Sequence, residues 1–182
     1  RELARRLDGF GPPADCLDFE AILPEIPVFA GTRPFEVVPF QWSAHLHREG
    51  TEPVHAEFLA DGRSDPRRAF AESLIAALAK RELPILVYSS FEDDVLAALA
   101  RAFEDLAEPL EHLRARLRDL LPVVRRSVYH PAFQGSFSLK RVAPVMRSLS
   151  VGASLEAQKR SSNTPGFDYN ATIGSINAAL TF

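Results

Sequence analysis

Asp18 and Glu20 lie two residues apart in the string Leu17-Asp18-Phe19-Glu20. On an extended strand, side chains alternate between faces, so both carboxylates leave the same side, roughly 6.5–7 Å apart along the chain. Two hard oxygen donors at that separation suit divalent cations and can share a pair of ions about 3.5–4 Å apart. The same triplet also fits a strand with one wet face, so its meaning depends on its neighbours. Leu17, Phe19 and Ala21 point the opposite way and anchor the strand in a core. A second acidic group, Ser90-Phe91-Glu92-Asp93-Asp94, falls where an apolar run ends and a helix begins. Acids in a first helical turn are stabilised by the helix dipole, which accounts for Asp93 and Asp94. Glu92, at the corner, is placed to reach over the end of a neighbouring strand.

A different chemistry lies at His45, His47, His55 and Glu57. Three imidazoles on adjacent strands can hold zinc. No ligand-spacing signature is met, and a solvated hairpin face is the simpler account. Cys16 reads as a buried thiol. Trp42, between Phe40 and Ala44, reads as core rather than as a base-stacking platform.

These residues need elements to position them. Residues 1–13 read as a linker or the end of a preceding element, broken by Gly11-Pro12-Pro13. The domain spans 14–182, with its 148–182 tail weakly patterned. Ala14 to Leu23 and Val37 to His47 alternate as strands, Phe40, Trp42, Ala44 and Leu46 sharing one face. Pro39 belongs at the strand start or at a bulge. Residues 48–53 form a turn, and Val54, Ala56 and Phe58 continue the period. A helix follows, with Asp65 as N-cap and Pro66 at its first position. Leu83 to Tyr88 is a continuous apolar run, suited to a strand covered on both faces. Ser90 then caps a second helix, with Asp93 three residues on. A third helix follows Pro109. Leu120 to Val128 fits strand or helix. Residues 136–147 hold a short helix bounded by Pro144, and 157–168 read as a loop. A hairpin followed by alternating helices and strands predicts an α/β domain with a mixed sheet and flanking helices.

Composition narrows the setting. The chain has 182 residues, one cysteine and a net charge of −3. A single cysteine excludes an internal disulfide framework and fits a reducing compartment, the cytoplasm. No apolar run approaches a membrane span. The charge is uneven: residues 111–160 carry ten Lys or Arg and three acids, against 11 basic and 21 acidic residues elsewhere. Such a stretch can be a footprint for phosphate, or a solvated face such as Arg114 and Arg118 at i, i+4.

The motif order, strand with Asp-x-Glu, hairpin, helix, then strand-Tyr-Ser-Ser-Phe-Glu-helix, resembles the DnaQ-like (DEDD) exonuclease branch of the RNase H-like fold. The strings LDFE, GTRPFEVVPFQWSAH, YSSFEDDVLAAL, RLRDLL and GSFSLKRVAP resemble an uncharacterised bacterial domain that accompanies RecB-like nuclease domains. The resemblance runs from about Ala14 to Pro144. It implies an RNase H-like mixed sheet, an antiparallel hairpin plus parallel strands. It also implies 3'-5' exonuclease-like hydrolysis of DNA or RNA with two Mg²⁺ or Mn²⁺ ions. Asp18 and Glu20 match the first exonuclease motif, and Glu92 takes the place of the second motif's usual Asp. Asp119 resembles a supporting aspartate, and Lys140 lies in the segment leading to the third motif. That motif requires His or Tyr a few residues before a final Asp. Here Thr164 precedes Asp168 by four, so Asp168 serves an altered motif or none. The alternative is a catalytically inactive RNase H-like domain that binds nucleic acid, or acts as a scaffold, beside a RecB-like nuclease.

Overall fold

The structure is a computed structural model that describes residues 5–146, 152–160 and 169–177, the last two stretches as backbone. Strands β1 (Asp15–Ile22), β2 (Val38–Leu46) and β3 (Val54–Leu59) open the chain. They are followed by α1 (Arg67–Leu78), β4 (Ile85–Val87), α2 (Phe91–Ala102) and α3 (Ala107–Arg116). Then come β5 (Leu117–Asp119), α4 (Leu121–Ser127) and α5 (Leu139–Met146). The sheet order is β3-β2-β1-β4-β5. β2 runs antiparallel to β1 and β3, whereas β4 pairs parallel with β1 and β5. This is the α/β mixed sheet with flanking helices that the alternation predicts.

The period-2 pattern sorts the two faces. Leu17, Phe19, Trp42, Ala44, Ile85 and Val87 turn to one side and pack on α1, α2 and α3 through Phe70, Leu74, Val95, Leu96, Leu110 and Leu113. Phe70 meets Phe19 edge-on at 4.9 Å. Trp42 is a core residue whose indole N–H donates to Ser73 Oγ at 2.9 Å. Cys16 and Leu86 turn to the other side, with Phe10, Leu120 and Leu139. A smaller cluster of Val124, Phe133 and Val142 beside Tyr88 and Phe137 covers the rest of that face. Ile85 and Val87 on one face and Leu86 on the other are all buried, which bears out the reading of LPILVY as a strand covered on both sides.

Several boundaries differ from the pattern reading. The β1–β2 register slips between Glu20 and Ala21, which pair with Gln41 and Pro39. Phe40 is the extra residue of a bulge there and does not join Trp42 in the core, because a bulge interrupts the alternation. Pro66, not Asp65, is the N-cap of α1, and Asp65 Oδ1 accepts from the Arg67 N–H at 3.1 Å. Ser90 holds the N-cap position of α2 without capping through its side chain; Ser89 Oγ accepts from the Phe91 N–H instead. α3 begins at Ala107, with Pro109 in its first turn. Leu120 to Val128 resolves as helix, and Pro144 lies inside α5 rather than ending it. β5 has no counterpart in the pattern reading. Beyond it, β6 (Gly152–Arg160) and β7 (Tyr169–Asn177) pair antiparallel as a separate two-stranded sheet, so 157–160 are strand rather than loop.

One ion cluster fixes the N-terminal end of the parallel strands. Asp15 is fully buried at the start of β1. Arg81 Nε donates to its Oδ2 at 2.7 Å and Arg81 Nη2 to its Oδ1 at 2.6 Å. The His47 N–H donates to Oδ1 at 2.8 Å, and Arg116 Nη2 stands 3.9 Å from Oδ2. Removing one partner of a buried pair strands the other charge, at a cost of about 3–5 kcal/mol. Asp15→Asn is therefore expected to lower stability on that scale, measured by urea unfolding, while Arg68→Ala at an exposed pair changes it little.

Candidate functional site

β4 and β5 end level with each other, Val87 opposite Asp119, and β1 runs on past them to Ile22. In parallel sheets, ligands gather at the carboxyl ends of the strands, where the strand order reverses. Here β1 is the switch, with β2 turning away on one side and β4 running alongside on the other. A cleft of roughly 660 Å³ opens beside these ends. Its sheet-side wall carries Asp18, Tyr88, Ser89 and Glu92, and its far wall carries Leu121, Arg125 and residues 135–139.

The alternation of β1 sends Asp18 to this cleft while Leu17 and Phe19 hold the strand in the core. The short β4 ends at Val87, and the turn Tyr88-Ser89-Ser90 leads into α2 so that Glu92, its second residue, points back to the same cleft. Glu92 is only 4% exposed. Ser89 Oγ lies 3.4 Å from Glu92 Oε2. Burial, then the charges of Asp18 and Asp119, push the Glu92 carboxyl up to about 7. Burial, then Glu20, push Asp18 up to about 6. Glu20 is raised by burial and held back by Lys140. Asp119, at the end of β5, is raised by burial and held back by the Leu121 N–H, which its Oδ1 accepts at 2.8 Å, and by Arg125.

The structure thus brings Asp18 and Glu92 together in one cleft, with Glu20 and Asp119 close enough to act on them. Lys140 follows the cleft residue Leu139 in the chain, and its charge favours the ionised form of Glu20. Asp168 lies outside the described residues. Among the described residues, no three of His, Cys, Asp or Glu form a ready-made metal cage. No arginine or lysine hydrogen-bonds Asp18 or Glu92 among the described residues, in contrast to Asp15, three residues before Asp18 on β1. A buried and a half-buried acid that repel each other are favoured by a proton or a cation in place of lost solvent. Their all-oxygen donor set fits Mg²⁺ or Mn²⁺ better than a softer ion.

Pattern reading missed Tyr88, Ser89 and Arg125. Tyr88 donates its hydroxyl proton to the Phe137 carbonyl at 3.0 Å, and burial pushes the phenol up to about 12. The signal for Tyr88 and Ser89 was their place between a buried strand and Glu92. Arg125 carries no sequence signal of its own. On the hairpin, His45 and His55 are register partners with rings 4.9 Å apart, and His55 contacts Glu57 at 3.4 Å on a half-exposed surface. The basic stretch divides. Arg114 pairs with Asp93 and Glu111, Arg116 donates to the Leu78 and Leu83 carbonyls, and Arg118 donates to those of Ala115 and Leu117. Arg125 and Lys140 make no such bond to a described residue. Among the described residues, no helix is long and apolar enough to cross a membrane.

Glu92 sets a pH dependence whose sign follows from proton binding. Its folded pKa is above the unfolded value, so the folded state binds more protons between pH 4.5 and about 7. Stability of the metal-free domain then falls as pH rises through that window and levels off above it. One pKa unit is about 1.4 kcal/mol, so Glu92→Gln is expected to stabilise the metal-free protein by about 1–3 kcal/mol at pH 8 and little at pH 4. Urea unfolding at the two pH values with a chelator present checks this.

The family model described as a domain of unknown function, DUF2779, matches residues 16–138. That span holds all of the five-stranded sheet but Asp15, together with Asp18, Glu20, Glu92, Asp119 and Arg125; Lys140 and Asp168 fall beyond it. No curated protein and no solved structure matches the chain. With more than half of its residues under that model, the chain belongs to the DUF2779 family.

Proposed function

We infer that this domain is a divalent-metal-dependent nuclease, an exonuclease-like phosphodiesterase for DNA or RNA built on an RNase H-like sheet. The observation that carries the reading is the pair of half-buried Asp18 and buried Glu92, which share one cleft beside the carboxyl ends of β4 and β5 with no basic side chain hydrogen-bonded to either among the described residues. The hairpin followed by parallel strands supports the RNase H-like assignment. A reducing cytoplasm and a companion RecB-like nuclease domain belong to the same reading and rest on the lone cysteine and the sequence resemblance.

Asp18 and Glu92 would hold the ion, with Glu20 next along β1. Mg²⁺ takes one or two carboxylates and completes its shell with water and phosphate oxygens. When bound, Mg²⁺ or Mn²⁺ would activate water and neutralise charge on the phosphate. The protein's own groups do the rest. Ser89 steadies the Glu92 carboxylate. Asp119 stays behind the site and fixes the start of α4 through the Leu121 N–H. Tyr88 keeps its proton and braces the far wall through Phe137.

Cleavage of end-labelled single- and double-stranded DNA and RNA with Mn²⁺ tests this. Asp18→Ala is expected to reduce cleavage by about 100-fold or more, the upper scale on which even supporting contacts of a metal site matter. Mn²⁺ is expected to raise the melting temperature of the natural chain and not of the variant. A folded chain that binds nucleic acid equally with and without Mn²⁺ and never cleaves it would establish the inactive binding or scaffold role.

A further inference from the structure

Among the described residues six large apolar side chains are exposed, and five of them, Ile22, Leu23, Ile26, Val28 and Phe35, lie at the end of β1 and in the loop that leads to β2. Single apolar residues on a surface are ordinary, whereas a cluster of them marks a contact. The loop is built to hold its cluster out. Its base is closed by the Phe35 N–H, which donates to the Pro24 carbonyl at 2.8 Å. Thr32 Oγ1 donates to the Phe29 carbonyl at 2.7 Å, and Glu36 Oε2 accepts from the Arg33 N–H at 2.8 Å. Arg67 Nη1 donates to Glu36 Oε1 at 2.7 Å, which ties the loop to the first residue of α1. Phe35 has φ 58°, a left-handed conformation that a bulky residue rarely adopts, and it is 64% exposed. A loop fixed in this way loses little backbone freedom when a partner covers it.

Charge and area identify the partner. Between residues 22 and 35 the charged side chains are Glu25 and Arg33. Both are exposed, and Arg33 enters the described hydrogen bonds through its backbone alone. A loop of zero net charge gives no general attraction for a phosphate backbone or an anionic membrane. One acid and one base set in apolar surface do match the same loop turned by a two-fold axis, where each Glu25 meets the Arg33 of the other copy. The five side chains offer on the order of 500 Å² of apolar surface. One side of a standard interface covers about 800 Å², of which about 65% is apolar in homodimers. The loop therefore carries the apolar share of one such interface.

We propose that two copies of this chain associate through residues 22–36, with Ile26 and Phe35 as apolar anchors and Glu25 paired to Arg33 across the axis. Sedimentation equilibrium of the 182-residue chain over a concentration series tests this, and a dimer is expected. Ile26→Asp and Phe35→Asn are each expected to raise the dimer Kd by about 30-fold, the scale of an interface hot spot. Asparagine accepts the left-handed conformation, so the second variant removes the ring and keeps the loop. Glu25→Arg and Arg33→Glu are each expected to weaken the dimer about tenfold, and the two together to restore it to within about threefold. Tyr129→Asp, at the sixth exposed apolar residue, is expected to change nothing. Circular dichroism confirms that the variants fold. A monomer at every concentration would overturn the proposal and leave the loop to a different protein. An equal loss in Tyr129→Asp would overturn it in favour of unspecific association. A double reversal that fails to restore the dimer would overturn the two-fold pairing.

Discussion

The buried ion cluster at Asp15 is the constraint on which the rest of the domain depends. Parallel strands have no hairpin to hold them in register, so something else must fix where β1 and β4 meet. Asp15 supplies it. Its carboxylate joins β1 to the β2 end through His47, to the loop after α1 through Arg81, and to the end of α3 through Arg116. Three separate elements therefore converge on one oxygen pair. Asp15 pairs with Ile85, so the cluster also sets the register of β1 against β4. That register decides where Tyr88, Ser89 and Glu92 stand relative to Asp18.

Two points on β1, three residues apart, are electrostatic opposites. At the N-terminal end, a buried acid is matched by two guanidinium groups. Midway along β1, half-buried Asp18 shares a cleft with buried Glu92, and no basic side chain hydrogen-bonds either among the described residues. A chain able to satisfy one buried carboxylate so fully leaves the second pair unsatisfied only three residues further along the same strand. Burial of like charges opposes folding, and groups of that kind cluster where a ligand is to be bound. The family assignment adds a boundary to this picture. Asp18, Glu20, Glu92 and Asp119 lie inside the span of the family model, while Lys140 lies just outside it.

What the sequence made legible was whatever depends on local pattern. The hairpin, α1, α2 and LPILVY each carry enough apolar repeats to declare their type, and Asp18 and Glu20 share a face because strands alternate. β5 was not legible, because Leu117–Asp119 is three residues long, sits among arginines and is strand only by virtue of pairing with β4. Leu120 to Val128 stayed ambiguous because Val123 and Val124 favour strand while a helix is what fits after β5. Phe40 left the core through a bulge that alternation cannot foresee. Asp15 gave no signal, since Arg81 is 66 residues away. Arg125 became notable only once Arg114, Arg116 and Arg118 were seen to be engaged elsewhere.

The hydrogen bond from Tyr88 to the Phe137 carbonyl joins parts of the chain made at different times. The sheet end that bears the acids is complete at Asp119, and the wall facing it, Leu121, Arg125 and residues 135–139, follows it in the chain. A chain that leaves the ribosome from its N-terminus can therefore assemble the acidic end first. The segment that turns this end into a cleft arrives afterwards and docks on a tyrosine already in place. The site is a floor laid before its wall, and its enclosure is the last event in its construction.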